Sequence, residues 1–144
     1  MIAVAVLVVA GAVAYATVGS RQPHETVHGT FTISNGSYDP TNEFEDPNYT
    51  MGVDGCEGDS GYGDLNSLTQ VVVKDDHGEE VSRTQLGTGH DTGDTVFGGC
   101  KFDFTFDVAK GPKYFVVSVG RRGESTYTYE ELSEPGAVEL SIGS

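Results

Sequence analysis

Residues 100–108, Cys-Lys-Phe-Asp-Phe-Thr-Phe-Asp-Val, alternate apolar and polar without a break. Cys100, Phe102, Phe104, Phe106 and Val108 fall on one side, and Lys101, Asp103, Thr105 and Asp107 on the other. A period of two predicts a β-strand with one buried and one wet face. Residues 109–113, Ala-Lys-Gly-Pro-Lys, turn the chain. Residues 114–120, Tyr-Phe-Val-Val-Ser-Val-Gly, are expected to return as the second arm of a hairpin, apolar on both faces. Each Phe of the first arm brings about 150–250 Å² of surface to a core.

The same period recurs along the chain. Residues 27–33 put Val27, Phe31 and Ile33 on one face, and residues 137–142 put Val138, Leu140 and Ile142 inward. Residues 69–74, 79–86 and 125–129 read as further strands; 79–86 is rich in charge and suits a sheet edge. Turn signals separate them: Ser34-Asn35-Gly36-Ser37, Asp75-Asp76-His77-Gly78, Arg121-Arg122-Gly123 and Pro135-Gly136. Residues 130–133 make one helical turn, and 87–99 form a Gly-rich connection. Residues 38–63 show no period and read as one long loop with a short edge strand near 49–53. Seven or so short strands, with no amphipathic helix beyond residue 20, predict an antiparallel β-sandwich over residues 27–143, with a barrel as the second architecture. The expected core is Phe31, Val71, Val73, Phe102, Phe104, Phe106, Phe115, Val117 and Leu140.

Residues 2–18 stand apart as an uncharged run of Val, Ala, Ile and Leu. As a helix, 17 residues at about 1.5 Å each span roughly 25 Å, the short end of what a bilayer needs. That favours a transmembrane anchor over residues 1–18. Ala14-Tyr15-Ala16 also fits a signal-peptide cleavage site near Ala16, although a basic n-region is missing. A buried core helix is the third reading. Both leading readings put residues 19–26 in a linker and the β-domain outside the cytoplasm.

The cysteine count agrees, because two cysteines, Cys56 and Cys100, in an exported chain favour one disulfide over two free thiols. Such a bond closes a loop of about 45 residues, worth roughly 4 kcal/mol in the chain-entropy model. Two cysteines without a His at ligand spacing do not make a structural zinc site.

Charge narrows the partners. The chain carries 22 acidic and 8 basic residues, a net charge of −14. Phosphate backbones and anionic lipid surfaces repel such a domain, which argues against nucleic acid. No Lys or Arg occurs between Gln22 and Val73, while Asp39, Glu43, Glu45, Asp46, Asp54, Glu57, Asp59 and Asp64 fall in that stretch. Calcium takes six to eight oxygens from such loops. The spacing departs from an EF-hand loop. A solvated acidic loop is therefore the main reading, and a calcium site over residues 39–64, with Asp54, Glu57, Asp59 and Asp64 as ligands, is the alternative.

Cys56-Glu-Gly-Asp-Ser60-Gly61 resembles the nucleophile segment of chymotrypsin-like proteases. A triad also needs a His base, an orienting Asp and an oxyanion hole. His24 and His28 lie only a little upstream, most of the chain follows Ser60, and Tyr62 replaces the next Gly of the family pattern. Tight turns beside a disulfide account for the glycines better. His77 and His90 read as surface residues. Asp103 and Asp107 lie about 13 Å apart along one strand face, too far for paired-carboxylate chemistry. Arg121 and Arg122, the one basic cluster, are expected to pair with Glu130 or Glu131, with recognition of an acidic partner as the alternative. Tyr127 and Tyr129 alternate on one strand, in the core or in a contact patch.

The series Cys56-x-Gly-x-x-Gly-Tyr62-x-Asp64, Gln70-Val-x-Val-Lys-Asp75-x-x-Gly78, Cys100-x-Phe-x-Phe-x-Phe106, Tyr114-Phe-x-Val-x-Val-Gly-x-Arg122-Gly123, Tyr129-x-x-Leu132 and Leu140-Ser-Ile-Gly143 resembles a group of exported, often membrane-anchored actinobacterial proteins without assigned function. The resemblance spans about residues 27–143. It implies one extracytoplasmic β-domain behind a hydrophobic segment and supplies no activity. The acidic stretch 38–54 is longer than in the usual member. The strand, Val-Lys-Asp-x-x-Gly turn, strand pattern is also similar to transthyretin-like and carboxypeptidase-regulatory sandwiches. With no catalytic constellation legible, the expected role is a non-catalytic interaction or structural module of the cell envelope, with a protein partner. A hydrolase is the remaining alternative.

Overall fold

The computed structural model describes residues 23–34, 48–92 and 98–143. The strands are β1 (His24–Ser34), β2 (Tyr49–Met51), β3 (Cys56–Gly58), β4 (Gln70–Asp75), β5 (Glu80–Gln85), β6 (His90–Asp91), β7 (Gly99–Ala109), β8 (Phe115–Val119), β9 (Glu124–Tyr127) and β10 (Val138–Ile142). One helical turn, α1 (Tyr129–Leu132), precedes β10. A four-stranded sheet in the order β10-β1-β7-β6 and another in the order β5-β4-β8-β9 enclose the core; β2 and β3 pair by themselves. The architecture is the sandwich read from the sequence, with the two sheets unclosed.

The long alternating strand behaves as its pattern requires. Cys100, Phe102, Phe104, Phe106 and Val108 are buried, and the four residues between them are exposed. β7 pairs antiparallel with β1 along its whole length, Ser34 opposite Gly99 and His24 opposite Ala109. Inward side chains of both sheets form one cluster, including Phe31, Val71, Val73, Phe115 and Val117; Leu140 packs against it but stays partly open. Leu65 and Leu86, which no periodic pattern marks, are buried as well.

The expected hairpin of residues 100–120 is overturned. β7 and β8 lie in different sheets, so residues 110–114 form an arch across the core. β8 instead pairs with β4 and β9. The physical reason is that two strands with apolar inner faces satisfy burial equally well side by side or stacked. The sheets are also not wholly antiparallel, because β1 runs parallel to β10, with Phe31 opposite Leu140.

Other strand boundaries shift modestly. β1 begins at His24, inside the expected linker. Residues 48–63 hold two short strands rather than one. The 75–78 hairpin forms as expected, with the Asp75 carboxylate accepting from the His77 and Glu79 amides at 2.9 and 3.0 Å. β5 is an edge strand, with a bulge that leaves Val81 without a partner in β4. Tyr129 opens α1 instead of continuing the strand. Residues 1–22, 35–47, 93–97 and 144 lie outside the described residues. With them lie the expected anchor or signal segment, the 35–37 turn and the carboxylates Asp39, Glu43, Glu45 and Asp46. Among the described residues no helix is long and apolar enough to cross a membrane.

The pairings define two ends. Ser34, Cys100, Val71 and Val119 lie towards one, and His24, Ala109 and Phe115 towards the other. Residues 48–69 sit at the first, the disulfide end.

Candidate functional site

The 48–69 segment has little regular structure, yet it is tied to the sandwich at several points. Cys56 and Cys100 form a disulfide with Cα atoms 5.8 Å apart, joining β3 to β7. Cys56 also bridges to Gly89, its amide donating to the Gly89 carbonyl at 3.1 Å. A side chain on Gly89 would meet the Cys100 sulfur at 2.7 Å and the Phe102 ring at 2.9 Å, so glycine is needed for the approach. Asn48 donates its side-chain amide to the Ser34 carbonyl at 2.6 Å and the Gly143 carbonyl at 3.3 Å, fastening the segment to the ends of β1 and β10. Tyr49 is buried against the core. Burial first, then the neighbouring charge and hydrogen bond of Asp91, push its hydroxyl pKa up.

A second clamp comes from Arg122 in the β8–β9 turn. Its guanidinium binds both carboxylate oxygens of Asp64, the Nε contact at 3.2 Å, and Nη2 also donates to the Gly61 carbonyl at 2.6 Å. It stands 5.0 Å over the Tyr62 ring. This corrects the expected pairing of Arg122 with Glu130 or Glu131. Glu131 is engaged in a capping box, accepting from the Thr128 amide at 2.8 Å while Thr128 Oγ1 accepts from the Glu131 amide at 3.1 Å. A planar guanidinium matches a carboxylate with two parallel bonds, and Asp64 offers both of its oxygens while Glu131 is taken up by the cap.

The hydrogen bond from Arg122 holds the Asp64 carboxyl below its ordinary pKa. A lowered carboxyl stabilises the folded chain above the unfolded value, near pH ~3.9, and loses that contribution as pH falls through the folded value. Both groups are partly exposed, so Arg122→Ala is expected to cost no more than about 1 kcal/mol at neutral pH. The difference from wild type should shrink steadily in acid. Urea unfolding at pH 7 and pH 3 measures it; an equal loss at both would deny the ion pair its role.

Of the expected ligands only Asp54 and Glu57 line one groove; Asp59 and Asp64 do not join them there. Asp54 is at the tip of the β2–β3 turn, Glu57 is exposed on β3, Asp59 accepts from the Ser60 amide at 2.8 Å, and Asp64 belongs to Arg122. Among the described residues no three His, Cys, Asp or Glu side chains gather as a metal site. Ser60 has a left-handed backbone, φ 49°, on an exposed loop at the disulfide end. His24, opposite Ala109, is at the other end, and His28, opposite Thr105, lines a groove with Glu25 and Glu134. His77 is an exposed turn residue and His90 an exposed residue of β6. His90 shares the disulfide end with Ser60, but no hydrogen bond joins Ser60 to a histidine among the described residues. Asp103 and Asp107 share the outer face of β7, where Asp107 accepts from Thr26 Oγ1 at 2.6 Å.

Sequence reasoning missed the clamp and the hairpin. The only hint was the Gly-rich spacing around Cys56. Comparison with family models, with characterised proteins and with solved structures finds no match.

Proposed function

We propose that this chain is a non-catalytic interaction module on the extracytoplasmic side of a cell envelope, attached through the apolar run 2–18. The observation that carries it is the fastening of residues 48–69. Ordering an irregular segment costs about 1–2 kcal/mol per residue in backbone entropy. The disulfide, the Asn48 ties and the Arg122 clamp offset that cost for a segment that leaves most of its side chains in water. Exposed loops held rigidly by a scaffold are where proteins place recognition surfaces. The disulfide and the long apolar N-terminal run support an oxidising, extracytoplasmic setting. The resemblance to exported actinobacterial β-domains points the same way.

Mild cross-linking of intact cells, then purification of the full chain, tests the reading. A reproducible protein partner is the expected result. Recovery of the chain alone, together with an ester- or peptide-hydrolysing activity lost in Ser60→Ala, would replace it with a hydrolase.

Calcium binding by residues 39–64 is the alternative with a separate test. Because Asp64 is engaged by Arg122, calcium and magnesium at matched ionic strength are expected to raise the melting temperature equally, by charge screening alone. A calcium-specific rise removed by chelator and by Asp54→Asn or Asp59→Asn would move the function to the loop.

A further inference from the structure

Val53 stands out at the tip of the β2–β3 hairpin. The β2–β3 hairpin ends in a two-residue tip, Val53-Asp54, where the Gly52 amide donates to the Gly55 carbonyl at 2.6 Å. Neither Val53 nor Asp54 takes a positive φ, so the turn itself does not call for Gly or Asn there. Val53 is fully exposed, at 103% of its reference area, and none of the described residues packs over it. Large apolar side chains left in water at one end of a fold mark an interaction surface.

Two more apolar side chains stand out at the same end, Leu68 at 70% and Met51 at 60% exposure. Met51 closes β2, and Ser67, beside Leu68, lines with Val53 a groove of about 140 Å³. Charge indicates what meets them. Asp54, Glu57, Asp59 and Asp64 surround these positions in sequence, with no Lys or Arg between Gln22 and Val73. Of the basic side chains that come to this end from other strands, Arg122 is committed to Asp64, Arg121 stands beside it, and Lys101 is exposed on β7 next to Cys100, so the Asp54 and Glu57 tip is the acidic part. Orientation adds a third constraint. The chain enters β1 at His24, at the opposite end, and the eleven residues of β1 span roughly 33 Å. An anchor in residues 2–18 therefore leaves the disulfide end facing away from its own bilayer.

We propose that the disulfide end docks a protein whose apolar recess is rimmed by Lys and Arg. Val53, Met51 and Leu68 enter the recess, and Asp54 and Glu57 orient the encounter. This rests on the interaction-module reading above and deepens it. A second copy of the chain is opposed by like charge at the same tip, and a lipid surface by the net charge and the orientation.

The test places a photo-reactive benzophenone side chain at Val53, at Leu68 or, as control, at Val81 near the opposite end, in the full chain in intact membranes. Adducts to one protein are expected from Val53 and Leu68 and not from Val81. Affinity of the purified pair should fall at least about tenfold in Val53→Ser/Leu68→Ser. Asp54→Lys/Glu57→Lys should slow association and flatten its salt dependence. These positions are exposed, so the variants keep the wild-type melting curve, which is checked. Adducts only to a second copy, only to lipid or to nothing would overturn the proposal. Binding indifferent to both double variants would overturn it too. If Val81 instead captures a protein, the docking end is wrong while the interaction-module reading stands; if no position captures a protein, both fall.

Discussion

Phe104→Ala is expected to destabilise the chain by about 3–5 kcal/mol, a large share of a typical total of roughly 5–15 kcal/mol. The ring is buried and lies near-parallel to Phe106, with centroids 6.2 Å apart. It also covers Gly29, its direct cross-strand partner in β1. A methyl group on Gly29 would collide with the ring, so glycine and phenylalanine form one packing unit. The sharper form of the prediction is a double-mutant cycle. Gly29→Ala alone should cost about 1–3 kcal/mol by overpacking. In the Phe104→Ala background the same change should cost little or nothing, because the methyl enters the vacated space. The coupling should fall within about 0.5–3 kcal/mol, read from urea unfolding of all four proteins. Strictly additive losses would contradict the packing of β1 against β7.

Removing the disulfide is the second large effect. Cys56 and Cys100 are 44 residues apart, and freeing that loop in the unfolded chain costs roughly 4 kcal/mol by the entropic account. Cys56→Ala/Cys100→Ala should show this loss in chemical denaturation. Its structural consequence is local. β3 meets the rest of the molecule through the Gly89 bridge and the bond to Cys100, so the β2–β3 hairpin loosens first. β1, β4, β7 and β8 keep the buried aromatic and valine core without it. A double variant as stable as wild type, or one in which the whole sandwich melts as a unit, would contradict this division.

The strands were legible because each buries one face, and burial imprints a period of two on the sequence. Phe102, Phe104 and Phe106 could hardly be misread. Which strand lies beside which was less legible. Phe115, Val117 and Val119 carry the same alternation whether β8 pairs with β7 or faces it across the core. The arch and the parallel β1–β10 pair therefore left no mark in the pattern. The site was less legible still. Arg122 and Asp64 are 58 positions apart, and nothing in their local sequence matches one to the other. Glu130 and Glu131 were nearer in the chain, yet the turn that opens α1 takes Glu131 for its own amides. Leu65 has no periodic neighbours, and its burial follows from turns that only the folded loop makes, such as its carbonyl accepting from the Gly58 amide at 2.8 Å. Cys56 and Cys100 were the exception, since two cysteines have only one intramolecular bond to form.

The central claim is that residues 48–69 are held as a fixed surface by ties to the sandwich. Native-state hydrogen exchange of the full chain, oxidised and then reduced, tests it most directly. In the oxidised protein the amides of Gly52, Cys56, Gly58 and Leu65 should be protected, since each donates to a backbone carbonyl at 2.6–3.1 Å. On reduction the Gly52 and Cys56 amides should exchange fastest, while those of β1, β4, β7 and β8 stay slow. Rapid exchange at all four amides in the oxidised protein would contradict the account, because the segment would then be a loose loop and not a displayed surface.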